Sequence, residues 1–237
     1  MQRLKRALAM GLAELRGRPE VPADFSEADR ALWRRVQPYT MTSPERIYTI
    51  ARACEHVNRA RIPGAVVECG VWRGGSMGAA ALTLLAENDL RELWLYDTFT
   101  GMTEPGELDV RWSGESASAV YRDGWCAASL DDVQQTMRAT GYPDELVRYV
   151  VGPVEETIPA EAPETIALLR LDTDWYESTR HELGHLWPRL AAGGVLIIDD
   201  YGHWQGARRA VDEYFREHPV LLSRIDRTAR LAVKQAL

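Results

Sequence analysis

Four carboxylates stand where this sequence could do chemistry: Asp172 and Asp174 in Leu169-Arg170-Leu171-Asp172-Thr173-Asp174, and the pair in Ile197-Ile198-Asp199-Asp200-Tyr201. Both sets follow short apolar runs that read as buried strands. If those strands are neighbours, Asp172, Asp199 and Asp200 converge, and like charges that close persist only with a compensating cation or protons. Oxygen ligands without His or Cys at ligand spacing point to Mg²⁺, Mn²⁺ or Ca²⁺ rather than zinc, with Mg²⁺ preferred because it keeps water-filled positions open to a substrate. Helix capping is the competing explanation, since Asp174 and Asp200 precede helices and carboxylates stabilise helix N-termini. Capping accounts for one acid in each pair but not for all four, so a metal site is favoured.

A second candidate site is the glycine-rich stretch Glu68-Cys69-Gly70-Val71-Trp72-Arg73-Gly74-Gly75-Ser76. Its glycines lack the G-x-G-x-x-G spacing of a dinucleotide fold, and no Gly-Lys-Ser/Thr follows them as in a P-loop. A nicotinamide, a flavin or ATP is therefore disfavoured. Gly70 and Gly74 allow close backbone approach, and Glu68 and Ser76 suit a ligand carrying an ammonium and a carboxylate. Asp97, ending the next strand in Trp94-Leu95-Tyr96-Asp97, is where an acid accepts from ribose hydroxyls. Together these features suggest S-adenosylmethionine. Taken alone, the loop equally allows glycines that serve a tight turn and an Asp97 that caps a helix or faces solvent.

Other chemistry-bearing residues carry less. His181 and His185 share a helix face but lack the intervening glutamate of a metalloprotease and a third ligand, so they read as surface or capping residues. His203 is either pocket wall or exposed loop. Trp72, Trp175, Tyr176, Tyr201 and Trp204 flank the motifs and suit either core packing or an adenine or sugar pocket. Cys54, Cys69 and Cys126 show no Cys-x-x-Cys pattern and read as reduced and structural.

The elements that must position these residues alternate. Short apolar strands are expected around residues 65–69, 93–96, 147–151, 166–171 and 194–198, with helices over 77–87 and from Tyr176 to a stop at Gly193-Gly194. This alternation predicts an α/β fold with a mainly parallel sheet, on which ligands bind beyond the carboxyl ends of the strands. Residues 207–215 read as a further helix, and Asp226-Arg227-Thr228 as the turn of a terminal antiparallel hairpin. Ser43-Pro44 predicts a helix start with Ile47, Ile50, Ala51, Cys54 and Val57 buried. Leu4, Ala7, Leu8, Leu12 and Leu15 predict an amphipathic N-terminal helix, followed by a mobile stretch to about Tyr39. The long segment 98–145 holds one helix, around 129–138, and reads as a substrate lid in preference to a disordered insertion.

Composition bounds the rest. The chain has 237 residues, is 46% hydrophobic and carries a net charge of -7, which describes a folded domain and argues against a general binder of nucleic acid or anionic membrane. No apolar run reaches the ~18 residues of a membrane span, and the start is not a signal-peptide core, so a cytoplasmic location is expected. The partner expected is a small molecule. The N-terminal helix suggests a homo-oligomer contact or packing on its own domain.

The combination of motifs resembles the macrocin O-methyltransferase family, the S-adenosylmethionine-dependent sugar O-methyltransferases that include those of mycinamicin and novobiocin biosynthesis. The resemblance rests on Pro38-Tyr39-Thr40-Met41-Thr42-Ser43-Pro44-Glu45-Arg46, the glycine loop, Tyr96-Asp97-Thr98-Phe99, Gly152-Pro153-Val154-Glu155-Glu156-Thr157-Ile158-Pro159 and both acidic motifs, in order over residues 38–217. It implies a Rossmann-like class I methyltransferase with a mainly parallel seven-stranded sheet, a C-terminal antiparallel strand and helices on both faces. Residues 1–40 would be an N-terminal helical segment and 41–237 the methyltransferase domain, with 98–145 as lid. The resemblance further implies that Glu68, Gly70 and Ser76 hold the methionine part and Asp97 the ribose. Asp172, Asp199 and Asp200 would bind Mg²⁺, and Asp174 is placed like the family's general base, which makes Asp172 and Asp174 the catalytic candidates. The expected activity is methylation of a sugar hydroxyl on a glycosylated natural product. Its rivals are a catechol O-methyltransferase, a non-catalytic nucleotide-binding α/β domain and a phosphohydrolase using the acidic cluster.

Overall fold

The computed structural model describes residues 21–235. The amphipathic helix expected over residues 4–15 lies outside them. Helix α1 (Glu27–Val36) occupies the stretch expected to be mobile. Its start is written in Ser26-Glu27-Ala28-Asp29: the Ser26 hydroxyl accepts from Asp29 N–H, and the Asp29 carboxylate accepts from Ser26 N–H, a reciprocal capping box. Trp33 and Val36 then bury into the main core, which is why the segment is ordered. Helix α2 (Pro44–Arg59) starts at Ser43-Pro44 as expected, and Ile47, Ile50, Ala51, Cys54 and Val57 all face inward.

Strand β1 (Ala65–Cys69) leads through the glycine loop into α3 (Gly75–Ala86), followed by β2 (Leu93–Asp97). After the long segment come α4 (Leu130–Arg138), β3 (Val147–Val151), a short turn of helix α5 (Val154–Thr157) and β4 (Ile166–Leu171). Helix α6 (Tyr176–Leu186) ends earlier than the glycine pair suggested. Pro188, in the 3₁₀ turn that follows, cannot extend an α-helix, and the chain enters β5 (Leu190–Ile198) already at Leu190. Helix α7 (Gln205–Glu217) and the hairpin β6 (Ser223–Arg224) with β7 (Arg230–Val233) complete the described chain.

The sheet order is β3-β2-β1-β4-β5-β7-β6; β3, β2, β1, β4 and β5 run parallel, and β7 is antiparallel to both β5 and β6. Strand alternation splits the core in two. Val66, Leu168 and Ile197 pack with α1–α4 on one face, while Val67, Leu169 and Leu196 pack with α6 and α7 on the other. Burying each such side chain contributes roughly 1.5–3 kcal/mol before conformational entropy is counted. No helix among the described residues is long and apolar enough to cross a membrane.

The segment after β2 is folded, not a loose insertion. Buried Asp109 accepts from Gly106 N–H at 2.8 Å and from Tyr176 N–H, at the start of α6, at 2.8 Å. A side chain at Gly206 would place its Cβ 2.2 Å from Asp109 Oδ1, so the start of α7 needs glycine where this segment docks. Ser26→Ala removes one half of the α1 capping box and is expected to cost about 1 kcal/mol. Urea unfolding should show a lower midpoint at unchanged slope, and an unchanged midpoint would mean that α1 is held by its core contacts alone.

Candidate active site

The strand order reverses between β1 and β4, and the two loops leaving these strands meet there. Gly70 has φ +81°, and a Cβ on it would lie 2.1 Å from the Asp172 carbonyl oxygen, so glycine is required by both conformation and space. Parallel pairing continues one residue past the strands: Asp172 N–H donates to Cys69 O and Asp199 N–H to Leu171 O, both at 2.9 Å. Asp172, Asp199 and Asp200 therefore leave adjacent strands at one edge. One carboxylate oxygen from each lies within 4.8 Å of the others, as the sequence predicted.

Two guanidiniums, which the sequence reading passed over, thread this cluster. Register sets Glu68 beside Arg170, and buried Arg170 pairs with Glu68, with Asp172 at 2.7 Å and with Asp199. Arg46, one helical turn into α2, pairs with Asp199 and with Asp226 at 2.7 Å, tying the metal-candidate edge to the terminal hairpin. A lone arginine in the apolar run Leu168-Leu169-Arg170-Leu171 was the signal available, because such a charge is buried only when paired. Loss of solvent pushes Asp172 and Asp200 well above the usual carboxylate range. Arg170 pulls Asp172 back, whereas Asp174 and Asp199 raise Asp200 further. Burial likewise pushes Glu68 up to about 7 against the pull of Arg170.

Glu68 lies beneath the cavity rather than on its wall, paired with Arg170 and with Oε2 left without a hydrogen-bond partner. Ser76 and Gly70 do line the cavity, whereas Gly74, at φ +79°, caps α3. Asp97 reaches the cavity too, but it is already engaged: Oδ2 accepts from Val71 and Trp72 N–H at 2.9 and 3.0 Å, and Oδ1 from Phe99 N–H at 2.8 Å. Its first task is to organise the glycine loop, which leaves Oδ1 with acceptor capacity for a ligand hydroxyl.

Asp174 lines the same cavity, and burial pushes its carboxyl up to about 7, with Asp172 adding to the rise. Trp204 Nε1–H donates to Asp174 Oδ1 at 2.7 Å. Neither Asp174 nor Asp200 caps a helix; Trp175 and Trp204 occupy those N-cap positions without side-chain capping bonds, and Asp109 serves the start of α6 instead. His203 forms cavity wall, half-buried, while His181 is turned away to Ile158 O at 2.9 Å. Cys54 and Cys69 are buried free thiols, and Cys126 differs in lining the cavity. The whole cavity, about 940 Å³, has room for a nucleoside-sized ligand and a second molecule.

Against known proteins, the sequence matches the macrocin O-methyltransferase (TylF) family over residues 7–233. The chain belongs to this family. It is 35% identical over 179 residues to demethyldecarbamoylnovobiocin O-methyltransferase of Streptomyces niveus, covering 74% of this chain and 67% of that one. It is 34% identical to mycinamicin III 3''-O-methyltransferase of Micromonospora griseorubida, over 77% and 72% of the two chains. The structure of the O-methyltransferase NovP superposes with a TM-score of 0.75 at 33% identity, covering 84% of this chain and 83% of that one. This macrocin-family chain is thus an O-methyltransferase with the methyltransferase sheet, and the acidic edge and glycine loop lie where that sheet binds ligands.

Beneath the acidic loop, Glu182 of α6 is fully buried, accepts from the Thr173 hydroxyl at 3.0 Å and leaves Oε2 without a partner. Burial pushes it up to about 8, from an ordinary value of 4.5. The folded protein therefore keeps this proton over a pH window in which the unfolded chain has released it. Stability from this group is complete below about pH 4.5 and falls as pH rises toward 8. Glu182→Gln, which cannot ionise, should flatten that slope, gaining on the parent at pH 8 relative to pH 5 in urea midpoints. Parallel profiles for the two proteins would show that Glu182 is already ionised in the fold.

Proposed function

We propose that this O-methyltransferase transfers the methyl group of S-adenosylmethionine to a sugar hydroxyl of a glycosylated natural product, with Mg²⁺ held by Asp172, Asp199 and Asp200. The observation that carries the reading is the convergence of those carboxylates beside the Gly70 loop, so that a metal-held acceptor and a loop-held donor would share one cavity. The names of the relatives support the acceptor class, since one is named for O-methylation of demethyldecarbamoylnovobiocin and another for the 3'' position of mycinamicin III. The donor set fits a hard divalent cation: all ligand atoms are oxygens, and buried Asp200 Oδ2 has no hydrogen-bond partner.

The roles follow from chemistry at each residue. Gly70 admits the donor's backbone-side atoms, Ser76 and the Glu68 carboxyl beneath it suit the methionine part, and Asp97 Oδ1 suits the ribose. Gly74, by starting α3, orients the helix N-terminus toward the donor loop. A divalent cation bound at the three aspartates would supply Lewis acidity that makes a sugar hydroxyl a better nucleophile. Asp174 accepts the hydroxyl proton as the O–CH₃ bond forms, and the S–CH₃ bonding pair returns to sulfur. Arg46 and Arg170 hold the cluster's carboxylates in place, and the segment over the cavity excludes water.

Calorimetric titration with S-adenosylhomocysteine, with Mg²⁺ and again with a chelator, is expected to show binding in both conditions; its absence in both would remove the donor assignment. Transfer of a radiolabelled methyl group should then proceed on demethylated novobiocin- and mycinamicin-type glycosides in preference to catechols, and stop with chelator. Asp172→Asn is expected to lower turnover by about a hundredfold or more, as loss of a metal ligand does, while S-adenosylhomocysteine still binds. Full activity in Asp172→Asn, or turnover indifferent to chelator, would overturn the metal assignment.

A further inference from the structure

Asp174 sits at φ +67°, in the left-handed region that few non-glycine residues adopt, although Asp does so more readily than most. The chain beyond it is pinned, with Trp175 N–H on Thr173 O and Tyr176 N–H on Asp109 Oδ1, each at 2.8 Å. Among the described residues, the Trp204 indole is the one N–H that reaches the Asp174 carboxylate. Trp204 is only 2% exposed and is itself held by the segment after β2 that lines the cavity. Arg111 forms an antiparallel bridge with it and lays its guanidinium 5.2 Å from the ring centre, while Gln205 N–H donates to Val110 O at 2.9 Å. Trp175 packs edge-on against it at 5.1 Å, and sends its own indole N–H to a different target, Thr103 O in the same segment, at 2.9 Å.

We infer that Trp204 is a positioning residue for the methyl transfer. Its indole N–H occupies Oδ1 of Asp174, leaves the rest of the carboxyl, which neighbours Asp200, for the acceptor's proton, and makes the aim of that group depend on the seated segment after β2. Trp175, in the same aromatic cluster, fastens that segment instead. The inference rests on Asp174 being the base, and the two are separable by experiment.

Two replacements remove the N–H: W204F, and 3-benzothienylalanine at position 204, which puts sulfur in place of N–H at nearly unchanged shape. The acceptor is whichever glycoside of the panel above turns over fastest, followed by radiolabelled methyl transfer to reach low rates. Both variants are expected to lower kcat about ten- to hundredfold, with acceptor KM and S-adenosylhomocysteine affinity held within about threefold. In an Asp174→Asn background the same replacements should cost almost nothing further, because the group they act through is gone. W175F should instead raise acceptor KM more than it lowers kcat. The inference is overturned if the isosteric replacement leaves kcat within about twofold of the parent while Asp174→Asn is inactive, or if its loss is equal in both backgrounds. Near-parent activity of Asp174→Asn would overturn the base assignment itself. The indole ¹⁵N–H resonance gives a readout free of any acceptor: that of Trp204 should shift and exchange faster in Asp174→Ala, which removes the accepting oxygen, and an unmoved signal would count against the bond.

Discussion

The constraint on which the rest of this structure depends is electrostatic: several carboxylates share one edge of a sheet where water is scarce. Glu68, Asp172, Asp199 and Asp200 sit close enough to repel, and Arg170, buried among them, and Arg46, at their rim, keep the edge folded. An unpaired buried charge costs several kcal/mol, so loss of either arginine is expected to destabilise the fold. This balance also explains the positions of distant elements. Arg46 must come from α2 and find Asp226 in the terminal hairpin, so the two ends of the domain close over the same site.

A second layer of organisation comes from main-chain groups that carry no chemistry of their own. Asp97 holds the glycine loop through backbone N–H groups, and Asp109 ties the segment after β2 to the start of α6. Both are acids whose lone pairs satisfy backbone donors that a sharp turn or a helix start leaves unpaired. The tryptophans at 125, 175 and 204 then pack together between the segment after β2 and the sheet edge. The outcome is a preorganised cavity in which the glycine loop and the acidic loops are neighbours.

Much of this was legible in the linear chain because the signals are local. Strand-sized apolar runs, the Ser43-Pro44 helix start and acids placed directly after strands each depend on a few neighbouring residues, and each appears in the fold. The capping box at Ser26 was equally local, yet the mobile stretch was expected there because prolines and charges dominate its surroundings. The helix end at Leu186 was misplaced for a similar reason: Gly193-Gly194 is the louder stop signal, but Pro188 acts first.

By itself, then, the amino-acid sequence determined the α/β alternation, the glycine loop and the four acids at strand ends, since hydrophobic periodicity and residue type act over a few positions. Only the tertiary structure decided which charges neutralise those acids, that Asp97 serves the loop, that Glu68 lies under the cavity, and that an indole from the Asp199-Asp200 loop reaches Asp174. Except for Arg170 and Asp172, two residues apart, those partners lie 25 to more than 150 residues apart along the chain. Their meeting is fixed by strand order and register, which set distances that no local pattern encodes.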